Sequence, residues 1–185
     1  MRGPGPAAHV GRIVADGEFA TLEFHRRFPQ PPSEVWTALT DPEALRQWFL
    51  PVERFEPRTG GAVEFLAGPS QMQITGRILT WDPPRVLEHE WKIAARPQMP
   101  FGENAVIRWE LRPDGDGTVL HLTHARVSRR TARGIAPGIH ANLDLLAAHL
   151  DRRPLPDVRE RYTQVAPLYS RTGASPRSAA DPPTE

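Results

Sequence analysis

Residues 32–49 read Pro32-Ser33-Glu34-Val35-Trp36-Thr37-Ala38-Leu39-Thr40-Asp41-Pro42-Glu43-Ala44-Leu45-Arg46-Gln47-Trp48-Phe49. Two short helices fit this run. Ser33 to Thr40 places Val35, Trp36 and Leu39 on one face. Asp41-Pro42-Glu43 then restarts the helix, with Asp as N-cap, Pro at the first helical position and Glu in the positive first turn. Leu45, Trp48 and Phe49 fall at i, i+3 and i+4, a second apolar face, and Pro51 stops the element. Immediately upstream, Leu22, Phe24 and Phe28 alternate with polar neighbours across Phe19 to Phe28, which is a strand that Pro29, Pro31 and Pro32 end.

Downstream the period stays at two. Val63 and Phe65 follow the turn Gly60-Gly61, and Met72, Ile74, Gly76 and Ile78 follow Gly68-Pro69. After Asp82-Pro83-Pro84, residues Leu87, His89, Trp91 and Ile93 share one face. Ala94 to Asn104 reads as a loop. Ile107, Trp109 and Leu111, then Leu120, Leu122 and His124, flank the hairpin turn Pro113-Asp114-Gly115-Asp116-Gly117. Strands joined by turns predict an antiparallel sheet. A long helix is predicted over about Ile135 to Leu150. At about 100° per residue, Ile139, Leu143, Leu146 and Leu150 share a face with Ile135, and Asn142 and His149 lie within it. His140 and Asp144 fall on the opposite side, predicted to face solvent. The fold class is therefore α+β: a curved antiparallel sheet wrapped around a long C-terminal helix, with two short helices after the first strand.

The run 32–49 resembles the entry segment of the SRPBCC (START-like) superfamily, with its helix-grip fold. The likeness is strongest to the branch named after the activator of the heat-shock-protein-90 ATPase. Gly76-Arg77-Ile78 before Asp82-Pro83-Pro84-Arg85-Val86-Leu87, Glu90-Trp91, Gly117 to His124 and Gly138 to Leu146 carry it further. The resemblance covers about Phe19 to Pro156. Two positions depart from it: members usually have Trp where this chain has Ile139, and a small residue, often Gly, where it has Arg126. The resemblance implies a bowl between sheet and helix that accepts an apolar ligand. Fold alone does not name the chemistry, because such domains bind small molecules, catalyse cyclisation or dehydration, or dock on proteins.

The chain of 185 residues suits one domain with tails. Residues 1–18 read as an N-terminal tail with a short strand at Ile13-Val14. Residues 19–153 read as the START-like domain, 154–170 as a short helix packing back on it, and 171–185 as a disordered tail. There is no cysteine, which excludes disulfides, thiolate nucleophiles and iron–sulfur clusters. Net charge is +1, which argues against electrostatic capture of nucleic acid. Lys92 is the only lysine, and every other basic residue is arginine. No apolar run reaches the roughly 20 residues of a membrane span, and no signal core is visible, so a cytoplasmic location is expected.

His89, His124 and His149 are predicted to point inward among apolar walls, where an imidazole can orient a ligand or move a proton. Asn142 and His149 are two helical turns apart and predicted to stack on the helix's inner face. Trp91 and Trp109 are candidates to stack on a ring-bearing ligand. The expected ligand-binding set is thus His89, Trp91, Trp109, His124, Asn142 and His149. If the bowl is catalytic, His124 or His149 is the acid/base. His121 and His124 have a metal-like spacing, but i and i+3 on a strand face opposite ways, so no metal site is expected. No phosphate loop, dinucleotide fingerprint or nucleophile elbow occurs, and no cofactor is expected. Arg126, Arg129, Arg130 and Arg133 form a basic connector with no acidic residue. The expected partner is a small apolar ligand, the alternative a protein; nucleic acid is not expected.

Overall fold

Asp41 closes one helix and opens the next. The computed structural model describes residues 9–68, 72–97 and 99–170. In it α1 (Pro32–Thr40) ends where the Asp41 N–H donates to the Thr37 carbonyl, 2.9 Å away. The Asp41 carboxylate then accepts from the backbone N–H of Glu43 and Ala44, both at 2.9 Å, to start α2 (Pro42–Trp48). One short acidic side chain thereby satisfies donors that a helix start would leave bare. Trp48 Nε1 donates to the Ala38 carbonyl at 2.9 Å, which ties the second helix back on the first.

The strands are β1 (Arg12–Asp16), β2 (Phe19–Phe28), β3 (Val52–Phe55), β4 (Ala62–Ala67), β5 (Met72–Asp82), β6 (Val86–Ile93), β7 (Glu103–Asp114) and β8 (Gly117–Ser128). They form one curved antiparallel sheet in the order β1-β2-β8-β7-β6-β5-β4-β3. The long helix α3 (Ala132–Leu150) lies in its concave face, and α4 (Val158–Ser170) packs on α3 from outside. Alternate residues of each strand form the core: Leu22 and Phe24 from β2, Ile74 and Ile78 from β5, Leu120 and Leu122 from β8. The observed architecture is the helix-grip arrangement expected from the alternation pattern.

Three local features go beyond the sequence reading. β3 carries no apolar alternation, since Glu53 and Arg54 sit exposed at its centre, so no strand is marked there in the sequence although it pairs with β4. α3 begins one turn earlier than predicted, at Ala132. Pro137 lies within its second turn, where the missing N–H interrupts only the bond to Arg133. β8 contains a bulge: Ala20 pairs with Val127 and Leu22 with His124, so one extra residue sits on β8. Within it Arg126 takes φ +61°, the left-handed conformation for which this kind of bulge usually employs glycine. The expected disordered tail, 171–185, and the first eight residues lie outside the described residues. No helix among the described residues is long and apolar enough to cross a membrane.

Candidate functional site

A cavity of about 230 Å³ remains between the sheet and α3. The helix contributes Ile135, Gly138, Ile139, Asn142 and Leu143, the i, i+3/i+4, i+7 spacing that keeps one stripe facing one way. The sheet contributes Trp91 from β6, Ile107 and Trp109 from β7, and Leu122 and His124 from β8. Met72 and Met99 close it from flanking segments, and Phe49, the residue after α2, adds a ring. Phe49 stands 6.1 Å from the Trp91 ring centroid, so the cavity has an aromatic wall. An apolar cavity of about 150 Å³ is enough to hold a benzene, so this one has room for a one- or two-ring molecule.

His124 is the polar centre. It is buried, and its ring meets Trp91 edge-on at 5.9 Å. Neither Nδ1 nor Nε2 has a hydrogen-bond partner among the described residues. Burial, assisted by the nearby His89, pulls its pKa down to about 3, so the ring is neutral at physiological pH. Asn142 faces the same cavity from the helix and is half-buried. At the rim, the Glu103 carboxylate accepts from the Ser128 backbone N–H at 3.1 Å and from Thr131 Oγ1 at 3.2 Å. It thereby fastens the turn between β8 and α3.

The structure thus gathers four of the six sequence-predicted residues: Trp91, Trp109, His124 and Asn142. His89 is buried on the same sheet face, but it stands beside the cavity without lining it. Its Nδ1 lies 2.9 Å from the Glu90 carbonyl, and its ring packs between Phe65 and Trp91. Burial lowers its pKa to about 4. His149 is a correction. It lies in a separate shallow groove with Ser33, Glu34, Thr37 and Ala44, at the α1–α2 end of the molecule. Its angle about the helix matches that of Asn142, but seven residues carry it about 10 Å further along the axis, beyond the cavity. Met72, Met99, Phe49 and Glu103 were not anticipated. Met99 sits in a loop, where no periodicity marks it, and Met72 opens β5, where alternation groups it with Ile74 and Ile78 but does not mark a cavity.

The opposite side of α3 holds a second correction. His140, expected at solvent, is fully buried, because α4 and the segment before β1 cover it. Its Nδ1 is 2.8 Å from the Tyr169 hydroxyl, which also accepts from the Gly11 backbone N–H at 2.9 Å. Its Nε2 is 3.4 Å from the Asp144 carboxylate. Arg161 of α4 donates to the same carboxylate at 2.7 Å. The Asp144 carboxylate is also 3.8 Å from Arg26, a buried arginine on the concave face of β2. Burial holds the His140 pKa below its ordinary value against the pull of Asp144. Among the described residues no three His, Asp or Glu side chains converge as a metal-holding set.

Comparison with known proteins bears on this geometry. Residues 29–151 match the family model described as Activator of Hsp90 ATPase homolog 1-like protein. The chain belongs to that family. The matched span runs from the end of β2 through α3, and so includes every element that walls the cavity. CalU16 from Micromonospora echinospora is similar in structure, with a TM-score of 0.66 and 25% identity over 88% of this chain and 93% of that one. A Bordetella parapertussis protein solved by NMR gives a TM-score of 0.66 and 24% identity, covering 95% and 97% of the two chains. A Mesorhizobium loti protein gives 0.65 and 24%, covering 73% and 99%. No curated protein matches the chain. These neighbours establish the SRPBCC-type fold.

Proposed function

We propose that this protein binds a small apolar, ring-bearing molecule in the bowl, with the START-like unit of residues 19–153 as its binding domain and the cytoplasm as its location. In this reading Trp91 and Trp109 stack on the guest, and His124 and Asn142 make directional hydrogen bonds to it. The observation that carries the reading is His124: a buried imidazole with both nitrogens unpartnered, beside an open apolar cavity. Leaving a buried polar group unpaired costs about 1–3 kcal/mol, and a guest bearing one polar atom relieves that cost. Persisting space between Trp91, Trp109 and α3 favours a host over a packed interaction module.

Acid/base catalysis is less well supported. A proton shuttle works best with a pKa near the operating pH, whereas burial places His124 far below it. Neutral 2-naphthol, a two-ring molecule with one polar atom, is a suitable probe, read by quenching of tryptophan fluorescence, together with native mass spectrometry of the freshly purified protein. Saturable binding that Ile139→Trp abolishes, with the melting temperature of the variant maintained, is the expected result. Absence of both probe binding and a co-purified molecule would overturn the reading.

A further inference from the structure

A second concavity, an open trough of about 740 Å³, lies outside the bowl between the β1–β2 turn, the start of β7 and the exit of β8. Arg126, Arg129 and Arg130 line it, all exposed. Several other arginines are ion-paired: Arg54 with Glu56, Arg85 with Asp82, Arg108 with Glu110. These three have no carboxylate within ion-pair distance among the described residues; Arg129 reaches only the Gly17 carbonyl, at 3.5 Å. Two of them lie over aromatic faces. The Arg126 guanidinium is 5.2 Å from the Phe19 ring centroid, and that of Arg130 is 5.5 Å from the ring of Phe101, which is 82% exposed. Such stacking holds a guanidinium flat with its donor edge free, the geometry that meets an oxyanion.

Two further facts tie the trough to the bowl. Glu103 lines both, so the two concavities meet at that residue. Its carboxylate is already engaged by Ser128 and Thr131, and among the described residues Glu18 is the only other acid on the trough wall. Moreover, Arg126 keeps its left-handed φ of +61°, a conformation that disfavours any side chain, at the point where its guanidinium forms that wall. The bowl encloses little more than a two-ring body, so a larger guest emerges beside Glu103 into a region of positive charge.

We propose that the guest of the bowl is amphipathic, with its ring system inside and a carboxylate, sulfonate or phosphate group seated in the trough against Arg126, Arg129 and Arg130. The inference rests on the bowl being a ligand cavity, and its test separates the two. 6-Hydroxynaphthalene-2-sulfonate and 2-naphthol share one two-ring skeleton and differ in the sulfonate. In calorimetric titrations of the full chain, the triple variant Arg126→Gln, Arg129→Gln, Arg130→Gln is expected to weaken the sulfonate probe about fivefold to tenfold and the neutral probe less than about twofold. Raising salt from about 20 to about 200 mM is expected to weaken only the sulfonate probe. Excess neutral probe is expected to displace the anionic one. Equal responses of both probes to the variant overturn the proposal, as does a sulfonate probe that the neutral one cannot displace. Failure of the neutral probe to bind at all overturns instead the reading of the bowl.

Discussion

His124 and Arg126 are two residues apart on β8, and each is held at a cost to the fold. The buried imidazole has no hydrogen-bond partner among the described residues, and the arginine occupies a backbone conformation that glycine enters freely. Replacing either should therefore stabilise the free protein. His124→Leu is expected to raise unfolding free energy by about 1–2 kcal/mol in urea titration, while weakening guests that carry a hydrogen-bonding atom. Arg126→Gly is expected to add about 1 kcal/mol, because relief of the left-handed backbone outweighs the exposed stacking on Phe19. A loss of stability in either variant would mean that the native residue makes a compensating contact. The inward placement of His124 was legible from strict alternation along β8. That it stands unpaired depends on what faces it from β6 and α3, and no local pattern encodes that.

At the scale of elements, a helical wheel gives angle and omits axial position. Asn142 and His149 share a bearing, yet one enters the bowl and the other passes beyond it. The burial of His140 was hidden for a different reason. Alone, α3 has a polar back, and only the return of α4, anchored by Tyr169 and Arg161, encloses it. The prolines that precede α4 suggested a turn but not its landing place. Tyr169→Phe tests that landing. It strips the acceptor from the Gly11 N–H and the partner from His140 Nδ1, both in a buried site. The expected loss is about 1–3 kcal/mol, seen as a lower urea midpoint. The variant's bowl should bind the neutral probe unchanged. In contrast, the α1–α2 junction was readable in full, because Asp41-Pro42-Glu43 acts through neighbours in sequence. Asp41→Ala should cost about 1 kcal/mol, and Asp41→Asn should recover most of it.

For the whole molecule, buried imidazoles set the acid limit. His89 and His124 remain neutral in the fold down to about pH 4 and about pH 3, but take up protons near pH 6.5 once unfolded. Between these limits the unfolded chain binds more protons, so stability is intact above about pH 6.5 and falls as pH drops toward the folded values. The loss from pH 7 to pH 5 is about 1–2 kcal/mol for each of the two. Urea midpoints measured across that range should decline, and the double variant His89→Leu, His124→Leu should make the decline shallower, with the buried His140 keeping its own share. An unchanged slope would place the titrating groups elsewhere. The antiparallel run from β4 to β8 was legible because each of those strands is joined to the next by a connection with its own Gly or Pro signal, whereas the pairing of β2 with β8 joins segments far apart in the sequence and has no local signal. β3 escaped notice because its charges interrupt the alternation.

Those same charges have a further effect. An unclosed sheet ends in two rows of unsatisfied main-chain groups, here along β1 and β3. β3 is four residues long with Glu53 and Arg54 outward, and β1 is five residues long with Arg12 and Asp16 exposed at its ends. Neither margin is long, flat and greasy enough to template a neighbouring molecule. The open, curved sheet is in this way kept from recruiting copies of itself into fibrils.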